Sequence, residues 1–179
     1  MNVIQTNLEG LVILEPRLFK DDRGFFSETY HQPRYSEHGI GPFVQDNWSR
    51  SQKGVLRGLH FQQPRPQGKL VMVTRGSAWD LVVDIRKSSK TFGRHHWVEL
   101  NQTNARQLWV PPGFAHGFIA LEDDTDFLYK CTDVYVPEAE RSILWSDPDL
   151  AISWPIAAPL VSPKDAKAPR LKDAPNLFP

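Results

Sequence analysis

The sequence predicts an all-β sandwich or barrel. Short apolar runs recur along the chain, Gly, Pro, Asn and Asp punctuate them, and no long amphipathic helical pattern competes. In order, the runs fall at residues 11–14, 25–30, 55–62, 70–74, 78–85, 96–100, 106–110, 117–121 and 127–136. Residues 21–24 form a turn by composition, ahead of the second run. Residues 32–38 suit one short helix. In the third run, and again from Gly68 onward, apolar residues alternate with Arg57, His60 and Lys69, so polar groups project among hydrophobic ones. The runs Asp80-Leu81-Val82-Val83-Asp84-Ile85 and Phe127-Leu128-Tyr129-Lys130-Cys131-Thr132 carry the β-branched and aromatic residues that a half-buried sheet prefers. Residues 162–179 are rich in Pro, Lys, Asp and Ala, which predicts an irregular or helical, partly exposed and peripheral C-terminal segment.

The length of 179 residues suits one domain, 1–179, and no repeat, low-complexity tract or linker divides it. Acidic and basic residues balance to a formal charge of zero, which argues against a general nucleic-acid or membrane-surface role, so any anion is met locally. The single cysteine, Cys131, excludes an internal disulfide and reads as a buried, inert thiol. No leader pattern opens the chain and no apolar run approaches ~18 residues, so a cytoplasmic protein is expected.

Four constellations can carry chemistry. Arg57, His60 and Lys69 lie on adjoining strands beside Gly58, Gly68, Gln62 and Gln63. A lone strand histidine is usually satisfied by a backbone group, but burying three cationic or titratable groups without partners is costly, which favours a site. In Trp109-Val110-Pro111-Pro112-Gly113-Phe114-Ala115-His116 a Pro-Pro-Gly turn delivers His116 to the next strand, where ligating a metal, orienting a neighbour and capping the turn are all open to it. A metal is disfavoured: Gln62 stands two residues after His60, where a second histidine would be needed, and His95 and His96 are adjacent and point to opposite faces. Arg23, Phe26 and Glu28 offer a cation, an aromatic face and an acceptor, a trio suited to a phosphorylated nucleoside, although a plain hairpin with a surface ion pair explains them as well. Gln45, Asp46 and Asn47 add hydrogen-bonding groups with the same ambiguity. Tyr129 is the fourth, and only its company separates it from an ordinary packing tyrosine.

From Ile13-Leu14-Glu15-Pro16 through Val161-Ser162-Pro163-Lys164-Asp165-Ala166 the chain resembles the dTDP-4-dehydrorhamnose 3,5-epimerase family. The resemblance rests on Arg57-Gly58-Leu59-His60-Phe61-Gln62, Asp84-Ile85-Arg86 with Thr91-Phe92-Gly93, Gly113-Phe114-Ala115-His116-Gly117-Phe118 and Phe127-Leu128-Tyr129-Lys130, in the family's order and spacing. It implies a cupin-like jelly roll, a homodimer, and a reaction needing neither cofactor nor metal. By the same resemblance His60 is the general base, Asp165 its acidic partner, Tyr129 the acid and Lys69 the active-site lysine. Arg57, His116, Glu140 and Lys164 fall on phosphate-side and sugar-side contacts. Arg23, Phe26, Glu28, Gln45 and Asn47 fall on the nucleotide side, some of them reaching the other subunit's substrate, and Asp46 is a further substrate-binding candidate. Asp80 matches a substrate-side aspartate of the first barrel strand. Arg141, where a small residue is expected, and the stiff, basic Pro64-Arg65-Pro66 depart from the pattern without removing a catalytic group.

The implied reaction acts on dTDP-4-dehydro-6-deoxy-D-glucose, whose C4 ketone acidifies C3–H and C5–H. A base on one face, an acid on the other and a cation at the developing enolate oxygen suffice for it. The competing readings are a relative that epimerises only C3 or only C5, a metal-dependent cupin enzyme built on His60 and His116, and a non-catalytic sugar-nucleotide binder.

Overall fold

The computed structural model describes residues 1–179. Its strands are β1 (Asn2–Gln5), β2 (Val12–Glu15), β3 (Leu18–Asp21), β4 (Gly24–Ser27), β5 (Gln45–Ser51), β6 (Val55–Gln62), β7 (Lys69–Arg75), β8 (Ser77–Asp84), β9 (His95–Asn101), β10 (Gln107–Val110), β11 (Phe114–Ala120), β12 (Thr125–Cys131), β13 (Glu140–Ser142) and β14 (Leu160–Val161). Two short helices, α1 (Gln32–Ser36) and α2 (Pro163–Ala166), lie outside them.

Alternation of side chains along these strands builds two facing sheets. One runs β1-β2-β10-β7-β12-β5 and the other β13-β6-β11-β8-β9, with β14 parallel to β6; β3 and β4 form a hairpin apart from both. Every second residue of β7 and β10 (Val71 and Val73, Leu108 and Val110) meets Val82, Val98, Leu100, Phe114 and Phe118 from the opposite sheet. Phe118 stacks on Phe127 of β12 at 3.9 Å between centroids, which ties the two layers together. The outer face of the second sheet (Leu81, Val83, Ile85, Ala115, Ile119) is covered by Trp145, Trp154, Leu171 and Phe178. Covered on both sides, β8 is buried at every position. The outer face of the first sheet packs Leu14, Leu70 and Trp109 against Tyr35 and Ile40 at α1. The result is a cupin-like jelly roll, the all-β class that the sequence predicts.

The runs at 70–74, 78–85, 96–100, 106–110 and 117–121 lie in or overlap β7 to β11, and the helix expected at 32–38 is α1. Other expectations change. The run at 25–30 leaves strand geometry after Ser27, and the run at 127–136 stops at Cys131, beyond which Asp133 caps the Val134 N–H and pairs with Arg65. The C-terminal segment is irregular or helical and partly exposed, as its composition predicts, but it also docks on the rest of the molecule. Leu171 is buried and Phe178 bridges to Arg86, because the outer face of the second sheet would otherwise remain open to water, and Asp165 is buried against β6.

Candidate active site

Strict alternation would put Arg57 and His60, three residues apart, on opposite faces of β6. The pairing with β11 removes the conflict. His60 faces His116 and Arg57 faces Phe118, so three steps along β6 oppose two along β11, a bulge that turns Arg57 and His60 into one cavity. Backbones approach closely there. Gly58 has φ +142°, and a Cβ on it would lie 2.6 Å from the Gly117 Cα, so only glycine fits.

The cavity, of about 500 Å³, opens between the two sheets beside the stacked Phe118 and Phe127. A second lobe of about 340 Å³ adjoins it, and His60, Lys69, Tyr129 and Glu140 line both. His60, Arg57 and His116 come from one sheet, Lys69 and Tyr129 from the other, and Lys164 and Asp165 from α2. Asp165 owes its place to a helix cap: its N–H donates to the Ser162 Oγ at 3.1 Å. Its carboxylate, 3% exposed, then accepts from His60 Nε2 at 2.6 Å and from the Gly58 N–H at 3.4 Å. Burial alone would raise the Asp165 carboxyl, but the His60 hydrogen bond and charge, with the Gly58 and Ser162 bonds, outweigh it and hold it below its usual value. An ionised carboxylate only accepts, so the shared proton belongs to Nε2, and Nδ1, which has no protein partner, carries the basic lone pair.

Tyr129 faces this pair from the other sheet. Burial, reinforced by Cys131 and Glu140 and opposed by Arg57, pushes its phenol up, so it keeps its proton through neutral pH. The Lys69 ammonium lies 5.9 Å from the Tyr129 ring centroid. Burial pushes it down, against the opposing pull of Cys131, Glu140 and Asp80. At the rim Glu140 pairs with Lys164 and accepts from the Tyr135 hydroxyl at 2.7 Å. Its carboxyl is raised by burial, but these partners win and hold it low.

The structure relocates several residues read from the sequence. Asp80 sits in the middle of the second sheet, on β8, fully buried and outside the cavity lining. It accepts from His116 Nε2 at 2.8 and 3.0 Å, so it supports a lining residue rather than the substrate. Burial pushes its carboxyl up, against His116 and Lys69. His116 is the third residue of β11 and orients against Asp80 instead of capping the turn. Gln45 and Asn47 line the second lobe, but Asp46 alternates outward and pairs with Lys130 at 3.0 Å. Arg23, Phe26 and Glu28 line neither lobe, because their hairpin stands apart from both sheets. Arg23 folds back on Asp21, Phe26 is 69% exposed, and Glu28 pairs with Arg34. Arg141 stays on its own turn, donating to the carbonyls of Glu138 and Glu140.

Gln62 spends its amide on structure: its Nε2 donates to the carbonyls of Arg65 and Val134 and its Oε1 accepts from the Val136 N–H. No three His, Cys, Asp or Glu side chains converge as a metal-ligating group. Cys131 is buried and free, its thiol pushed up by burial. Sequence reasoning missed Ser49 and Ser51, whose signal was the period-2 polar row Gln45, Asn47, Ser49, Ser51 on the inner face of β5. It also missed Ser162 and Tyr135, which lie in segments without periodicity.

A histidine on one sheet backed by a carboxylate from α2, and a protonated phenol with a lysine on the other sheet, around one cavity of a jelly roll, define an acid–base enzyme. Comparison with known proteins gives the family. A family model described as dTDP-4-dehydrorhamnose 3,5-epimerase matches residues 5–173, and the chain belongs to that family. It is 50% identical to the dTDP-4-dehydrorhamnose 3,5-epimerase of Shigella flexneri, over 97% of this chain and 98% of the relative. It is 53% identical, with a TM-score of 0.93 over 96% of this chain and 93% of the other, to the dTDP-6-deoxy-D-glucose-3,5-epimerase of Legionella pneumophila solved with dTDP-4-keto-L-rhamnose. A 3'-monoepimerase of Streptomyces bikiniensis, solved with dTDP-quinovose, is similar at 34% identity and a TM-score of 0.89 over 94% of this chain and 87% of the other. No helix is long and apolar enough to cross a membrane.

Proposed function

We propose that this chain converts dTDP-4-dehydro-6-deoxy-D-glucose into dTDP-4-dehydro-L-rhamnose by proton exchange at C3 and C5. One observation carries the reading: the His60–Asp165 pair and the Tyr129 phenol reach one cavity from opposite sheets. Inversion at carbon needs a base and an acid on opposite faces. His60 Nδ1 takes the proton made acidic by the C4 ketone, and Asp165 stabilises the imidazolium that forms. The electron pair moves onto the ketone oxygen, where the Lys69 ammonium meets the enolate charge. Tyr129 then protonates the carbon from the other face. His60 and Tyr129 reset through solvent before the second carbon reacts, so each inversion brings in one solvent proton.

Arg57, His116, Glu140 and Lys164 hold the phosphate and sugar side, and Gln45 and Asn47 the nucleotide side. The reading extends to a single-domain, cytoplasmic homodimer that uses no cofactor or metal. The exposed Phe19, Phe25 and Phe26 of the hairpin, outside their own cleft, support a role for Arg23, Phe26 and Glu28 at the cleft of a second copy. The likeness to the 3'-monoepimerase favours a second reading, exchange at C3 alone.

Proton NMR of the substrate in heavy water tests both. Wild type is expected to erase the C3 and C5 signals and His60→Ala neither. Loss of C3 alone would establish the mono-epimerase, and no exchange with wild type would refute both.

A further inference from the structure

Ser51 ends β5 with its side chain on the same inner face as Gln45, Asn47 and Ser49. It is 3% exposed, and its Oγ accepts from Arg57 Nε at 3.1 Å. That is the guanidinium's one hydrogen bond to the protein, and Arg57 has no carboxylate partner, unlike Arg23, Arg34, Arg50, Arg65, Arg75, Arg86 and Arg106. A guanidinium is a rigid planar fork, so fixing Nε fixes the plane and leaves the terminal nitrogens free for an oxyanion. Serine suits the task. Its hydroxyl is neutral, so it orients the cation without neutralising it, whereas an aspartate here would compete with the anionic ligand.

We infer that Ser51 is a positioning residue that aims the Arg57 fork at the diphosphate of the nucleotide sugar. The inference rests on the proposed function for the identity of the ligand. The bulge at Gly58 turns Arg57 into the cavity, and Ser51, on the facing sheet, decides which way its nitrogens point once there. The two sheets therefore share the anion subsite as they share the acid and the base.

The test is a double-mutant cycle read by calorimetric titration with dTDP and, separately, with thymidine. Ser51→Ala removes one buried oxygen and is expected to weaken dTDP binding about tenfold while leaving thymidine unchanged, the size expected for one hydrogen bond to a charged group. Arg57→Ala should weaken dTDP further, and in that background Ser51→Ala should have no additional effect. Equal loss for dTDP and thymidine, full additivity of the two substitutions, or unchanged dTDP affinity would each overturn the inference. A melting scan of Ser51→Ala separates misfolding from misaiming, since a cooperative transition near that of wild type is expected. Epimerisation plays no part in the titration. Firm dTDP binding without C3 or C5 exchange by wild type would defeat the proposed reaction and leave the Ser51 result standing, and failure of wild type to bind dTDP would defeat both.

Discussion

Replacing Asp165 by Asn keeps shape and volume and reverses one hydrogen bond. In the wild type the carboxylate accepts from His60 Nε2 at 2.6 Å, which leaves Nδ1 unprotonated. An asparagine that turns its amide nitrogen toward Nε2 donates instead, so the ring proton moves to Nδ1 and the base is lost; turning its oxygen there leaves the imidazolium without its counter-charge. The Ser162 cap is made by the backbone N–H and survives either way, so α2 stays docked, whereas the Gly58 N–H at 3.4 Å keeps its acceptor only when the amide nitrogen faces Nε2. In other histidine–carboxylate pairs the same exchange costs about 10⁴ in turnover. Here deuterium wash-in at C3 and C5 should fall by about 10³ to 10⁴, with KM changed less than threefold. The pH dependence has a definite sign. Because the folded state holds the Asp165 carboxyl below its unfolded value, its contribution to stability is full above the unfolded pKa and is lost as pH falls through the folded one. Acid melts of wild type should therefore steepen below the ordinary carboxylate range, and those of Asp165→Asn should lack that component. Wash-in within threefold of wild type, with the fold intact, would refute the reasoning.

Two further outcomes are expected. Tyr129→Phe keeps the ring that packs on the core but deletes the proton donor, so net inversion should fall by about 10² to 10⁴ while wash-in on the His60 face persists, seen as deuterium in unepimerised substrate; loss of both together would remove Tyr129 from the acid role. Gly58→Ala places a methyl 2.6 Å from the Gly117 Cα at φ +142° and should cost about 3 kcal/mol, lowering the melting temperature by roughly 10 °C; a shift under 2 °C would show that the bulge tolerates a side chain.

The parts of this fold that local pattern reveals are those where one face is dry and the other is not, or where both are dry. β7 and β8 announce themselves through Val and Leu at the expected spacing. β5 does not, because it is an edge strand whose inner face lines a polar cleft: Gln, Asn and Ser look inward, and Asp46, Trp48 and Arg50 look out. Arg57 and His60 stand out in sequence as chemically unusual, yet their common direction depends on an extra residue in a pairing with a strand far along the chain. Asp165 is harder still. Its composition is that of a tail, and only resemblance to a family marked it, since the contact that makes it functional spans 105 positions. The hairpin shows the reverse: Arg23, Phe26 and Glu28 look like a binding trio in sequence, and in one chain Arg23 pairs with Asp21, Phe26 packs near Phe19 and Glu28 pairs with Arg34, all away from the cavity.

The path by which α2 reaches His60 ties activity to the far end of the chain. Between Leu150 and β14 the backbone crosses the surface without helix or strand, then pairs alongside β6 and places the carboxylate. The strand that carries the base thus also receives the segment that brings the carboxylate, and the same segment closes one side of the cavity with Val161, Ser162 and Lys164. A chain cut in the crossing near residues 151–159 and stripped of α2 would leave the His60 imidazole without its carboxylate, so the far end of the sequence holds a veto over the proton-transfer chemistry.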